Sequence, residues 1–123
     1  MFATMEKMPV SLMQNGNPHQ TCIDACVKCA QICQECLTMC LQEDDVKARL
    51  SCIKSLQDCS EICSITACYM SRGSQNIQEI CNVCATICEQ CADDCSMFQD
   101  NHCPTCSDTC RQCASECKNM VNM

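Results

Sequence analysis

The cysteines of this chain recur at steps of three and four residues, and that spacing constrains the fold more than any other feature. Cys22, Cys26, Cys29, Cys33, Cys36 and Cys40 form one run. Cys81, Cys84, Cys88, Cys91 and Cys95 form another, and Cys103, Cys106, Cys110, Cys113 and Cys117 a third. Alternating steps of three and four put one side-chain type along a single stripe of a helix that faces other helices. A looser run, Cys52, Cys59, Cys63 and Cys68, lies between the first and second. Leu56 fills its stripe between Cys52 and Cys59, and Thr66 and Met70 continue it after Cys63. Cys68 is off the stripe, about 140° around the helix from Cys63. It is expected to face away from the axis unless that helix is irregular, and it counts with the other nineteen cysteines among the candidate metal ligands.

Helix-boundary residues separate the runs into four elements. Asn17-Pro18 places a cap before a proline at the first helical position. Asp44 or Asp45 can cap a second helix, Gly73 can end it, and Ser74 can cap a third. A fourth starts near Asn101 to Pro104. The predicted helices cover about 18–41, 45–72, 75–98 and 103–121. Connections this short make neighbours antiparallel, so the expected fold is all-α: an up-down-up-down four-helix bundle over 18–123 with a cysteine-lined core. The stripe from Cys22 to Cys40 alone would run about 27 Å. Ile23, Ala30 and Leu37 repeat every seven residues beside it and would seal helix seams or an oligomer contact. Residues 1–17 form a methionine-rich lead, with Met1, Met5, Met8 and Met13 spaced for a short amphipathic helix packed over a bundle end.

Composition narrows the chemistry. The 123 residues include 20 cysteines but only 2 Phe, 1 Tyr and no Trp. Large aromatics normally supply core volume, so thiols must fill much of this interior. A net charge of −7 disfavours nucleic acid or an anionic membrane as partner. Glu6, Lys7 and Pro9 interrupt any signal-peptide core, which points to the reducing cytoplasm, where cysteines persist as thiols or metal thiolates.

A few buried cysteines can act as small hydrophobes, but that does not explain three regular stripes. Disulfides within a helix fit poorly, because i and i+4 Cβ atoms are about 5–6 Å apart and a disulfide needs about 3.5–4.5 Å. A metal held between two sulfurs at about 2.3 Å fits i,i+4 pairs and facing helices alike. Thiolates select Cu(I), Zn or iron–sulfur clusters. Five Zn²⁺ in four-thiolate sites would leave about ten negative charges buried, each costly to desolvate. Cu(I) shared at one ion per bridging thiolate leaves none. The iron–sulfur spacing is absent, and Cys103-Pro104 is the sole Cys-Pro pair. A zinc or general metal-thiolate buffer, or a disulfide-crosslinked helical structural protein, stand as alternatives. No residue cluster suggests an enzyme.

The runs TCIDACVKCAQICQECLTMC, ICNVCATICEQCADDC and HCPTCSDTCRQCASECKNM resemble the bacterial copper storage proteins, cytosolic branch. The resemblance covers about Thr21 to Met120. It implies storage of many Cu(I) ions along the axis of a four-helix bundle, with the stripe cysteines as ligands, and commonly a homotetramer. Delivery by a copper chaperone or a small thiol would fit it. It also implies histidine ligands just before the last cysteine run, where this chain has only His102.

The topology puts Met39, Met97 and His102 near one mouth. His102 is the candidate entry ligand there; Met39 and Met97 are secondary. At the other end His19 precedes Cys22 by three residues and Met120 follows Cys117 by three, so either can cap the tube or bind at its end.

Overall fold

The computed structural model describes residues 11–122. Four long helices follow one another: α1 (Gln20–Leu41), α2 (Leu50–Ser71), α3 (Ile77–Cys95) and α4 (His102–Val121), with a 3-10 turn at Val46–Arg49 before α2. Each packs on its two ring neighbours, α1 on α2 and α4, and α3 on α2 and α4. This is the antiparallel bundle that the spacing requires.

The helix ends differ in detail from the expected boundaries. Asn17 does not cap α1 directly. Its Oδ1 accepts from the His19 N–H at 2.8 Å, and its carbonyl accepts from the Gln20 N–H at 3.1 Å, forming a turn that delays the helix to Gln20. The stretch after Asp45 coils more tightly before α2 begins. Gly73 ends α2 as expected, at φ +63°. Its N–H bonds the Met70 carbonyl and the Ser74 N–H bonds the Tyr69 carbonyl, a Schellman closure that needs a left-handed residue. Ser74 accepts from the Asn76 N–H, so α3 starts at Ile77. It stops at Cys95 rather than 98 because the chain turns there, with the Phe98 N–H bonded to the Cys95 carbonyl. The first ten residues, including Met1, Met5 and Met8, lie outside the described residues. Met13 is in a turn and exposed.

Small residues let the helices approach closely. Ser60 Oγ on α2 donates to the Ala30 carbonyl on α1 at 3.2 Å, and Ser107 Oγ on α4 donates to the Ala92 carbonyl on α3 at 2.9 Å. Ala67, Ala85 and Ala114 are buried along the same interfaces. Ile23 is buried, and Ala30 and Leu37 pack partly buried against the core, so this heptad row closes a seam. The interior left between such close helices suits thiols rather than aromatic rings.

Candidate metal centre

Nineteen of the twenty cysteines are buried; Cys68 is exposed. α2 is regular through this point, so the off-stripe position turns Cys68 to solvent. Contrary to its candidacy, Cys68 is not among the core ligands. Leu56, Thr66 and Met70, which hold the stripe positions of α2 where cysteine is missing, are fully buried.

The sulfurs form a continuous column. Near its middle, Cys29 Sγ lies 3.9 Å from Cys33, 3.8 Å from Cys59 and 3.8 Å from Cys110. Cys59 lies 3.6 Å from Cys88, so this level joins all four helices. The next level repeats the pattern: Cys63 lies 3.8 Å from Cys84 and from Cys113, and Cys113 lies 3.7 Å from Cys26. Cys22 and Cys26 each stand 3.8 Å from Cys117. Toward the other end, Cys33 is 3.9 Å from Cys106, Cys36 and Cys40 are each 3.7 Å from Cys103, and Cys52 is 3.5 Å from Cys95. Clamps between helices predominate; pairs on one helix, such as Cys84 with Cys88 at 3.9 Å, add to them. Cys81 and Cys91 complete the buried set. Every separation far exceeds a disulfide bond of about 2.05 Å and is slightly less than two metal–thiolate bonds span. A modest outward adjustment of rotamers admits an ion. Groups such as Cys26, Cys63, Cys84 and Cys113, or Cys29, Cys33, Cys59 and Cys110, bring all ligand atoms within 4.8 Å of one another.

Hydrogen bonding along the column divides the thiols into two kinds. Contact with Cys110 holds Cys29 and Cys59 well below the ordinary thiol range, and contact with Cys113 does the same for Cys84. Their neighbours move the other way: Cys110 is pushed far up, first by Cys106, and Cys63, Cys88 and Cys117 first by Cys113. One sulfur gives up its proton readily only because the adjacent S–H donates to it. Each sulfur's proton is thus shared with its neighbours, and an incoming cation takes the proton's place among thiols that already hydrogen-bond to one another.

At one end stands His102, the first residue of α4. Its Nδ1 lies 3.4 Å from Cys36 Sγ and 3.6 Å from Cys103 Sγ. Its Nε2 lies 2.9 Å from Glu43 Oε2. A carboxylate at Nε2 takes the N–H there and leaves the Nδ1 lone pair facing the sulfurs, the outer-shell device that orients metal-binding imidazoles. Cys36, Cys40, Cys103 and His102 form one potential ligand group.

The spacing pattern gave no indication of Arg49, which is buried against this group. Its Nη1 donates toward Cys103 Sγ at 3.5 Å and Cys40 Sγ at 3.6 Å. Asp45 and Asp100 each bind it at 2.6 Å, and its guanidinium stacks 4.4 Å from the Phe98 ring centroid. Burial works against its charge, but Asp45 and Asp100 outweigh that and keep it protonated. Asp100 Oδ1 also accepts the backbone N–H groups of His102 and Cys103, at 3.1 and 2.7 Å, and so caps α4. Burial disfavours its carboxylate, yet the Cys103 N–H and Arg49 hold it below the usual range. An acid three residues before Cys103 was the available sequence cue for this cap.

The secondary candidates separate. Met39 and Met97 are exposed at the His102 end. At the opposite end His19 and Met120 line one cavity of about 210 Å³. His19 Nδ1 is buried there without a hydrogen-bond partner, and Met120 is buried.

Comparison with known proteins agrees with this geometry. The family model described as copper storage protein matches residues 15–122. A curated Bacillus subtilis (strain 168) protein, described as an uncharacterized cysteine-rich protein YhjQ, is 36% identical over 84 residues, 68% of this chain and 78% of its own length. The Cu(I)-bound copper storage protein BsCsp3, from Bacillus subtilis, aligns with a TM-score of 0.78 and 38% identity, covering 83% of this chain and 96% of that one. A cytosolic copper storage protein from Streptomyces lividans, solved with five coppers, aligns with a TM-score of 0.83 and 32% identity over 85% of this chain and 92% of its own. With a sulfur-lined four-helix bundle and a family match across nearly its whole length, this chain belongs to the copper storage protein family.

Proposed function

We propose that this protein stores and buffers multiple Cu(I) ions in the cytoplasm, binding them through the nineteen buried cysteines and His102 rather than catalysing a reaction. The observation that carries this reading is the unbroken column of sulfurs from all four helices. Seventeen of the nineteen buried thiols have another sulfur within 3.9 Å, close enough to share an ion, and soft thiolates suit Cu(I). Related bundles have been solved with copper bound. His102, oriented by Glu43, acts as an entry ligand. Copper arrives by ligand exchange from a chaperone or small thiol. Membership of the copper storage protein family supports assembly of bundles into a homotetramer.

Zinc is the second reading, favoured by four-cysteine groups such as Cys26, Cys63, Cys84 and Cys113. The two differ in proton release. Cu(I) loading at one ion per thiol releases about one proton per ion, whereas a closed zinc site drawing on four thiols releases several. Anaerobic loading in weak buffer with a pH readout measures the ratio. Several protons per Cu(I), with preferential uptake of Zn²⁺, would contradict the proposal.

A further inference from the structure

The His102 end of the tube presents two approaches, and they are unlike. On the axis lies Arg49, its side chain only 6% exposed, with Nη1 reaching both Cys40 and Cys103. Asp45, Asp100 and Phe98 fix the guanidinium in place. A buried, pinned guanidinium over the last thiols blocks the axis by its bulk, its charge being balanced by the two carboxylates that hold it.

On the side, a groove of about 260 Å³ is lined by Met39 and Cys36 of α1 and by His102 and Thr105 of α4. Its donors are graded from solvent inward. Met39 is 46% exposed, the His102 side chain 9%, Cys36 2% and Cys103 not at all. Met39 follows Cys36 by three residues, so the two share one face of α1. A thioether binds Cu(I) without losing a proton, and the imidazole Nδ1 and the thiols behind it are successively better fixed.

We propose that Cu(I) enters from the side, landing on Met39 in the α1–α4 groove and passing to His102 and Cys36, while Arg49 keeps the axial approach closed. The proposal rests on the copper storage reading and specifies its route. In the transfer, the Cu–S bond to a carrier thiolate breaks as the bond to Cys36 forms. Cys36 loses its proton and the released carrier thiol regains one, so charge and protons balance.

Anaerobic stopped-flow transfer of Cu(I) from its bicinchoninate complex to the full chain tests this, with circular dichroism confirming that each variant is folded. Met39→Leu removes the thioether at similar volume, and Thr105→Trp fills the groove without replacing a ligand residue. Each is expected to slow uptake by about ten-fold, the lower end of what a lost supporting group costs a metal site. The Thr105→Trp protein should still reach the wild-type copper content. Wild-type uptake rates in both variants would overturn the lateral route. So would an Arg49→Met protein that loads faster than wild type and is unaffected by Thr105→Trp. Failure of the unaltered protein to take up Cu(I) would instead refute the storage reading.

Discussion

Arg49, Asp100 and His102 show how much of the mouth depends on single side chains. Asp100 neutralises a buried guanidinium and caps α4 through two N–H groups. Asp100→Ala leaves Arg49 with the more exposed Asp45 alone, so it should destabilise the apo bundle by about 3 kcal/mol. Urea denaturation under reducing conditions measures the loss. Because the Asp100 carboxyl titrates below its ordinary value in the fold, its contribution is intact above about pH 4. It is lost as the pH falls through the lowered value, and the Asp100→Ala protein should lack that part of the acid-induced destabilisation. His102→Ala should slow copper loading; an unchanged rate would remove it from the entry path. His102 beside Cys103 and the acid that caps α4 were legible in the sequence; the contacts of Arg49 were not. An arginine near a helix start reads as a solvated residue, and its partners Phe98 and Asp100 are about fifty positions away.

The helices themselves were legible because every buried position of the stripe follows one period. Even the irregular α2 run obeyed it: Leu56, Thr66 and Met70 fill the core and Cys68 leaves it. What the period does not encode is where a helix yields to local bonding. The Asn17 turn and the tight turn into Phe98 moved two ends inward, and the 3-10 turn set α2 later than the paired aspartates suggest. The close seams were also only half visible, since Ser60 and Ser107 read as ordinary polar residues until their hydroxyls are seen bonded to a facing helix. Ala92→Leu puts a branched side chain into the α3–α4 seam and should destabilise the bundle by about 1–3 kcal/mol through overpacking. Thermal unfolding of the apo protein detects it. Conversely, Leu56→Cys supplies the missing sulfur on the α2 stripe. We expect it to raise the copper content, despite a stability cost of about 2 kcal/mol for the lost volume. Metal analysis of the loaded variant checks this.

For the whole molecule, the governing constraint is charge. A closed helical tube cannot hold many thiolates without cations, and its thiols stay largely protonated until an ion replaces the proton. A monovalent ion at about one per thiolate keeps the interior neutral along its full length. The same close helix spacing that excludes aromatic rings brings sulfurs to within 3.5–3.9 Å of one another, which turns a core into a storage volume. Cys68 provides an internal control, because its thiol lies outside that volume. Cys68→Ser should bind as much copper as the unaltered chain. The most direct test of storage in the tube is an anaerobic Cu(I) titration of the reduced protein against a strong chelator, with thiols counted in parallel. Tight uptake that ends near one ion per buried cysteine, close to nineteen, is the predicted result. Saturation near about five ions, as four-thiolate sites would give, would contradict it.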